Sequence, residues 1–440
     1  MSLNTTRRRR TVLPPAPRTL EEAGLSFDTV SQLILKTLHL AGERSGAALG
    51  QQLGLRYSVI EPVLHQLRNA YLSEVYGGGL VGGPSFVYRI TDAGRTRAML
   101  HLEQSHYVGA APVPFHQYER YMRDFDEHVP RTVTRAQVQQ ALSHLVLSNR
   151  VIDQLGPAVN GGHSLFVYGP PGNGKTVIAQ GIKNLLDTDI AIPHAVDYDG
   201  HLVQVFDPVI HDVRPRVAAS NALDEGDPAD ARWLQCRRPL VTVGGELMMS
   251  GLELAYDAVS GFYRSPIQLA ANGGVLVIDD FGRQRCSVTD LLNRWITPLE
   301  SRTDYLTLTS GQKLPMPFVV LVVMATNIKP AELVDEAFLR RIHYKVFAES
   351  PTASDFKEIF RRVCRTRDLD YDEAVVERLM TNYFTRRHIP LRGCQPRDLI
   401  DHTLALADYL GEPRVLTDKL LHAACDSYFL DDQSALPPPV

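Results

Sequence analysis

The sequence predicts an α/β fold with a parallel sheet, followed by a helical domain and preceded by a small α+β domain. Three observations lead to this expectation. An apolar strand at 166–168 runs through a glycine-rich turn into a helical pattern. Two apolar runs, at 275–278 and 319–325, have the composition of strands that are buried on both faces. From Pro351 onward, apolar residues instead recur at helical spacing.

Length and composition allow several domains. The 440 residues are enough for two or three domains, and a hydrophobic fraction of 44% can fill their cores. We predict the following parts along the chain: a mobile basic and proline-rich tail at 1–24, an N-terminal domain at 25–106, a linker at 107–130, an α/β domain at 131–345, a helical lid at 346–434 and a tail at 435–440.

Charge and cysteine usage exclude several classes of protein. The net charge of −4 gives no overall basic footprint for nucleic acid, and Arg7–Arg10 is interpreted as part of a solvated tail. The five cysteines form no C-x-x-C pair, so neither a disulfide framework nor a zinc site is indicated. No secretory signal and no apolar run of membrane-spanning length is recognised, so the cytoplasm is the expected location.

The N-terminal domain is predicted to contain three helices and then a two-stranded hairpin. This order resembles the winged helix-turn-helix fold. A DNA-reading third helix should be basic, but this one mixes Arg56 and Arg68 with Glu61, and the hairpin turn at 77–83 has no Lys or Arg. Protein docking is therefore favoured, and DNA binding stays open as the alternative.

The glycine-rich turn has the pattern of a phosphate-binding loop. It reads G-P-P-G-N-G-K-T and stands between a strand and a helix, which is the context that supports this interpretation. Lys175 is expected to reach the β- and γ-phosphates, and the Thr176 hydroxyl to hold Mg²⁺. The sequence therefore predicts that ATP and Mg²⁺ bind at these residues: Gly169, Pro170, Pro171, Gly172, Asn173, Gly174, Lys175, Thr176 and Val177.

Polar residues end the two other buried strands. Asp279 follows Ile278 and is expected to join Thr176 in binding Mg²⁺, while Asp280 is placed to polarise the attacking water. Asn327 ends the next strand, where its amide is expected to hold the water or the γ-phosphate. An asparagine at the end of a strand is, on its own, usually a turn residue.

Three arginines are further candidates. Arg340 and Arg341 follow a helical segment, and they form either a solvated face or a cation donated to a phosphate in a neighbouring subunit. Arg397 begins a helix of the C-terminal domain and is able to fold over the nucleotide.

In this order and spacing, the segments from about 131 to 430 resemble the AAA+ ATPases. The resemblance implies a Walker A motif at Gly169–Thr176, a Walker B motif at Asp279 and Asp280, sensor 1 at Asn327 and sensor 2 at Arg397. It implies an arginine finger at Arg341 or Arg340, with Arg341 favoured, and a homo-oligomeric, hexamer-like ring.

Two segments are similar to those of particular AAA+ groups. The run 271–274 (A-N-G-G) and a hairpin at 302–313 are similar to MoxR-type ATPases and bacterial enhancer-binding activators, in which that hairpin precedes sensor 1. The sequence also resembles bacterial proteins described as predicted ATPases with chaperone activity. In place of the activators' sigma-factor loop stand Phe262 and Tyr263, which either grip a client polypeptide or, as we favour, pack in the core.

The chain departs from the family at two places. Asp280 stands where a glutamate is usual, and its carboxylate is one methylene shorter, so either hydrolysis is slow or the backbone compensates for the shorter side chain. Residues 188–240 form a long insertion, with a predicted hairpin around Asp199-Gly200. Asp207, His211 and Asp212 in this insertion are interpreted as solvated loop residues rather than metal ligands.

These observations lead to one main hypothesis and two alternatives. We expect a ring-forming ATPase that remodels protein partners in a chaperone-like way, with the N-terminal domain recruiting a client or adaptor. The first alternative is an ATP-regulated DNA-binding protein that uses the winged helix. The second is a nucleotide-switched structural assembly with slow turnover, which Asp280 suggests.

Overall fold

The computed structural model describes residues 13–77, 82–129, 132–162, 164–215, 228–333 and 339–429. Several expectations lie outside these ranges. They are the arginine run at 7–10, most of the hairpin turn at 77–83, the helical segment before Arg340 and the tail at 435–440.

The strands are labelled in chain order. They are β1 Arg44–Ser45, β2 Ser73–Gly77, β3 Val87–Ile90, β4 Val113–Pro114, β5 Ser164–Tyr168, β6 Asp189–Pro193, β7 Ala195–Tyr198, β8 His201–Gln204, β9 Trp233–Arg237, β10 Leu240–Val243, β11 Ala255–Asp257, β12 Phe262–Arg264, β13 Val275–Ile278, β14 Thr303–Thr307, β15 Lys313–Pro317, β16 Leu321–Thr326 and β17 Tyr344–Phe347.

The α-helices are labelled in the same way. They are α1 Leu20–Ala23, α2 Phe27–Ala41, α3 Gly46–Leu53, α4 Tyr57–Asn69, α5 Asp92–Gln104, α6 Phe115–His128, α7 Arg135–Ala141, α8 Asn149–Gly161, α9 Lys175–Gly181, α10 Ile267–Ala270, α11 Val288–Ser301, α12 Pro330–Leu333, α13 Ala353–Thr366, α14 Glu373–Leu379, α15 Gln395–Leu410 and α16 Asp418–Tyr428.

The chain divides into two compact units that interleave along the sequence. Unit 1 comprises Met1–Arg131, Leu186–Val277 and Gln284–Val322, and unit 2 comprises Thr132–Leu185, Ile278–Arg283 and Val323–Val440. The domain boundaries predicted from the sequence stay a prediction.

The main sheet confirms the predicted α/β fold. Its five strands have the order β10–β13–β16–β5–β17, and β17 pairs with β5 in parallel. The residue after β5, Gly169, donates to the last carbonyl of β16, and Phe281, shortly after β13, donates to Ala325. The carboxyl ends of these strands therefore lie at one edge of the sheet. Every residue of β13 and β16 is buried, as expected for strands covered on both faces.

In unit 1, the elements of the N-terminal region follow the predicted order. Helices α2, α3 and α4 precede the antiparallel hairpin of β2 and β3. The short strand β1, between α2 and α3, completes a sheet of order β1–β3–β2. A core cluster of buried residues, which includes Ile34, Leu53 and Leu64, packs these elements together.

Two segments of unit 1 differ from expectation. Residues 13–24 were predicted as a mobile tail, but they are held by contacts with distant residues. Pro15 forms an isolated antiparallel β-bridge with Ala229, and the buried Arg232 donates to the carbonyl of Ala23 at 2.9 Å. Residues 107–130 were predicted as a linker, but they include helix α6. Its buried residues Tyr118, Met122 and Phe125 follow helical spacing, which the flanking prolines obscured in the sequence.

The insertion contributes strands β7 and β8 to a second sheet in unit 1. The order of this sheet is β11–β12–β8–β7–β4, and the predicted hairpin around Asp199 and Gly200 is confirmed as β7 and β8. The predicted hairpin before β16 is likewise confirmed as the antiparallel pair β14 and β15.

The two aromatic residues of β12 are packing residues of unit 1, as favoured from the sequence: Tyr263 is buried, and Phe262 is half-buried against the N-terminal core cluster. Tyr263 is 2% exposed and its hydroxyl bonds to that of Thr309 at 2.6 Å. The ring of Phe262 contacts Tyr107 edge to face. These contacts leave no support for a client grip at Phe262 and Tyr263.

The C-terminal part of unit 2 is helical, as the sequence predicts. Helices α13, α14, α15 and α16 share a buried cluster that includes Phe356, Leu399 and Leu421. In the described parts of the chain, no helix is long and apolar enough to cross a membrane.

Candidate functional site

The phosphate-binding loop has a backbone that requires glycine at two of its positions. Gly169 has a φ of +147°, and a Cβ there would lie 2.5 Å from the carbonyl oxygen of Ala348. Gly172 has a φ of +78°, and a Cβ there would lie 2.6 Å from Cys394 Sγ. Both the left-handed backbone and the close neighbours exclude a side chain. The loop is therefore fixed between the end of β17 and the segment that begins α15.

Lys175 begins helix α9 and is held inside the loop. Its Nζ donates to the carbonyl of Pro170 at 2.8 Å, and the residue is 8% exposed. Burial lowers the pKa of Lys175, while the nearby carboxylates of Asp280 and Asp279 oppose this shift. A cation held inside a glycine-rich loop suits a polyphosphate.

Thr176 and Asp279 come together from distant parts of the sequence. Thr176 Oγ1 donates to Asp279 Oδ2 at 2.7 Å. A hydroxyl and a carboxylate side by side provide the oxygen ligands that Mg²⁺ prefers, with its remaining positions left to phosphates and water. Thr176 and Asp279 therefore fit a magnesium ion and would hold it.

Asp280 has a left-handed backbone, with a φ of +47°. Its N–H donates to Asp279 Oδ1 at 3.0 Å, and Asn327 Nδ2 donates to Asp280 Oδ1 at 3.3 Å. Aspartate is among the residues that accept this conformation best, because its short polar side chain bonds locally. The structure thus gives a physical reason for an aspartate at a position where the resemblance led us to expect glutamate.

These residues share one cavity of about 500 Å³. Most of the predicted site residues line it: Pro171, Gly172, Asn173, Gly174, Lys175, Thr176, Val177, Asp279, Asp280, Asn327 and Arg397. Sequence reasoning missed the other lining residues, which include His144, Leu145, Val146, Leu147, Ile178, Ile359, Arg362, Val363, Thr366, Gly393 and Cys394. Helical spacing indicated that α13 is amphipathic, but it gave no sign that part of the helix faces a ligand.

Arg397 lines the cavity from helix α15. Its Nε and Nη2 donate to Asp398 Oδ1 at 3.1 and 2.9 Å, and this bonding raises the pKa of Arg397. Tyr428 donates to the other oxygen of Asp398 at 3.1 Å. The arginine is thus held by a carboxylate that is itself fixed.

Four predicted residues are not among those lining the cavity in the described part of the chain. Pro170 takes part through its carbonyl, and Gly169 through its backbone conformation. Arg340 and Arg341 lie in a turn just before β17, where the carbonyl of Arg341 accepts from Ser164 Oγ at 3.3 Å.

His211 is buried in unit 1, so it is not the solvated loop residue expected from the sequence. Its Nδ1 accepts from the N–H of Asp207 at 2.8 Å and its Nε2 donates to the carbonyl of Ala270 at 2.9 Å. Burial lowers the pKa of His211, which keeps the ring neutral with both nitrogens bonded. Within the described residues, no group of three or more His, Cys, Asp or Glu is arranged to hold a metal.

Two family models match parts of the sequence. Residues 143–192 match the magnesium chelatase subunit ChlI model, and residues 352–427 match a domain of unknown function (DUF8689). The first match includes the phosphate-binding loop and supports the class of AAA+ ATPases. No curated protein gives a match.

Solved structures with a similar arrangement were also found. The RuvB Holliday junction branch migration motor of Thermotoga maritima is 16% identical over 70% of this chain and 75% of that chain, with a TM-score of 0.37. NtrX from Brucella abortus is 14% identical over 78% and 66%, with a TM-score of 0.39. A chain in the complex of the magnesium chelatase subunits BchI and BchD is 18% identical over 65% and 94%, with a TM-score of 0.34.

Proposed function

We propose that the protein is an AAA+ ATPase that binds ATP with Mg²⁺ and hydrolyses it. The observation that carries this proposal is the hydrogen bond between Thr176 and Asp279 in a cavity that also holds Lys175 and Asp280. A phosphate-binding lysine, two oxygen ligands and a second carboxylate are the parts that phosphoryl transfer to water requires.

Each side chain has a role in this proposal. Lys175 neutralises the β- and γ-phosphates, and Thr176 and Asp279 hold the magnesium ion. Asp280 orients the attacking water, and the amide of Asn327 orients Asp280 through their 3.3 Å contact. Arg397 contributes a cation from the helical lid.

The assembly and the partners form the finer part of the proposal. Arg341, or else Arg340, completes the site of a neighbouring subunit in a homo-oligomeric ring, so that hydrolysis depends on assembly and moves subunits against each other. The ring acts on a protein client, which the N-terminal domain recruits directly or through an adaptor. The order of helices and hairpin in 27–90 supports a winged-helix domain for this task, and DNA as its ligand is the alternative.

A slowly turning nucleotide switch is a second candidate, which Asp280 favours. The experiment that tests hydrolysis measures phosphate release by the wild type and by Lys175→Ala, with mass analysis of the assembly with and without ATP. Release above the Lys175→Ala level, together with ATP-dependent assembly, supports the ring ATPase. Assembly on ATP with release at the Lys175→Ala level supports the switch, and absence of ATP binding refutes both.

A further inference from the structure

The cavity has two chemically different regions. Lys175, Thr176 and Asp279 supply the charged and polar groups for phosphates and metal. A second set of lining residues is aliphatic and includes Leu145, Val146, Leu147, Ile178, Ile359 and Val363. A nucleotide whose phosphates lie in the loop places its base away from the charged groups, and apolar walls suit a flat heterocycle. The aliphatic region is therefore where the base would lie.

Residues 143–147, which we call the base segment, have little local structure of their own. The segment connects α7 to α8 and belongs to neither helix. Its backbone makes two local hydrogen bonds, from Ser143 to the carbonyl of Gln140 at 3.3 Å and from Leu145 to that of Leu142 at 2.9 Å. Contacts from elsewhere in unit 2 must therefore help to fix the base segment.

Arg362 on helix α13 makes such contacts. Its Nη1 donates to the carbonyl of Ser143 at 2.7 Å and to that of Leu145 at 3.3 Å. Its Nε donates to Glu358 Oε1 at 2.8 Å, one turn earlier on the same helix. Because a guanidinium presents several donors in a rigid plane, the carboxylate fixes the direction in which Nη1 points.

We propose that Arg362 is a positioning residue for the nucleotide base, because it holds the base segment against helix α13 in the arrangement that forms the aliphatic region. This inference rests on the proposed function and names the part of the chain that sets affinity for the nucleoside. Arg362 acts on the base through Leu145, Val146 and Leu147, whereas the phosphate loop acts on the triphosphate.

The neighbouring arginine provides a matched control. Arg361 is on the same helix and donates to the same carboxylate, at 2.7 Å to Glu358 Oε2. Its guanidinium lies 4.9 Å from the centre of the Tyr371 ring, and among the described residues it is not part of the cavity lining. Its replacement removes a similar charge and a similar ion pair without touching the base segment.

The test compares two ligands that share the triphosphate. Binding of ATP and of inorganic tripolyphosphate, each with Mg²⁺, is measured by calorimetry on the full chain of the wild type, Arg362→Gln, Arg362→Lys and Arg361→Gln. Loss of a charge-assisted hydrogen bond predicts that Arg362→Gln weakens ATP binding about tenfold, without change for tripolyphosphate. The KM for ATP should rise by the same factor while kcat changes less than about twofold.

The two other variants separate positioning from general damage. Arg362→Lys keeps one donor and should bind ATP with an affinity between those of Arg362→Gln and the wild type, and Arg361→Gln should bind both ligands like the wild type. The inference is overturned if Arg362→Gln binds ATP as tightly as Arg361→Gln, or if its affinities for ATP and for tripolyphosphate fall equally.

If Arg362→Gln does not fold, the inference is overturned when Arg362→Lys binds ATP as tightly as the wild type and its KM for ATP does not rise. If the wild type binds tripolyphosphate and ATP equally, the aliphatic region does not bind the base and the inference is overturned. If the wild type binds neither ligand, the proposed function itself is refuted.

Discussion

The hydroxyl of Thr176 donates a 2.7 Å hydrogen bond to Asp279 Oδ2, although 103 positions separate the two residues in the sequence. The contact exists because the carboxyl ends of β5 and β13 lie at the same edge of the parallel sheet, with β16 between them. Sheet order therefore brings the phosphate-binding loop to the acidic end of a strand.

The first prediction concerns the Thr176 hydroxyl. Thr176→Val keeps the shape of the side chain but removes a metal ligand, so ATP affinity in the presence of Mg²⁺ should fall about tenfold. Affinity in the presence of a chelator should stay the same. Thr366→Val is the control, since Thr366 also lines the cavity but donates to the carbonyl of Arg362 in its own helix. Equal losses with and without Mg²⁺ would contradict a metal role.

The second prediction concerns the backbone of Asp280. Asp280→Asn should reduce phosphate release by about a hundredfold or more, because the base is lost, while ATP affinity and melting temperature stay near wild type. Asparagine accepts the left-handed backbone as well as aspartate does.

Asp280→Glu tests whether the left-handed backbone at position 280 requires the shorter side chain. The longer side chain should fit the left-handed conformation less well and lower the stability by about 1 kcal/mol. Calorimetric melting and phosphate release are measured together. A glutamate variant with unchanged stability and faster release than a slow wild type would show that the aspartate limits turnover and is not required by the backbone.

The third prediction concerns the shared site in a ring. Arg341→Ala should bind ATP like the wild type but release little phosphate, because the residue acts on the nucleotide of a neighbouring subunit. Lys175→Ala should be inactive because Lys175 acts on the nucleotide bound in its own subunit. Mixed assemblies of the two variants contain some sites with both residues, so mixing should restore part of the activity. If mixing Arg341→Ala with Lys175→Ala restores no activity, while mixing Arg340→Ala with Lys175→Ala does restore it, the arginine finger is Arg340.

The fourth prediction concerns Lys36 on helix α2 in unit 1. The residue is 3% exposed, and its Nζ donates to the carbonyl of Ser105 at 3.1 Å. Burial lowers the pKa of Lys36 from its ordinary value of 10.5 to about 8. Between these two values the unfolded chain binds more protons than the folded chain, so the free energy of unfolding contributed by this group rises with pH.

Lys36→Met isolates this contribution. Relative to this variant, the wild type should gain stability between about pH 8 and about pH 10.5, as measured by urea unfolding. The methionine variant removes the buried charge at similar volume. Its free energy of unfolding should therefore exceed that of the wild type most at the lower pH, where Lys36 is charged. Parallel pH profiles of the two proteins would show that Lys36 is not titrating in this range.

The sequence predicted the parts of the site whose chemistry depends on local pattern. The loop at 169–176 and the carboxylates after β13 are each recognisable within about ten residues, and their strands carry an unmistakable buried composition. The parallel sheet then brings Asn327 next to Asp280 without any further signal.

Other parts depended on contacts between distant segments. The base segment carries no motif, and Arg362 lies in a helix that reads as ordinary amphipathic sequence, so neither was recognised as part of a cavity. Helix α6 and residues 13–24 were misjudged for a similar reason. Their prolines suggested loops, whereas partners such as Arg232, far along the chain, hold them in place.

The most direct test of the account is phosphate release from ATP and Mg²⁺ by the full-length protein at saturating ATP and high protein concentration, beside Lys175→Ala prepared identically. The wild type should release phosphate clearly above the level of the variant, and this release should disappear when Mg²⁺ is chelated. Release by the wild type that equals the Lys175→Ala level at every protein concentration would contradict an ATP-hydrolysing site.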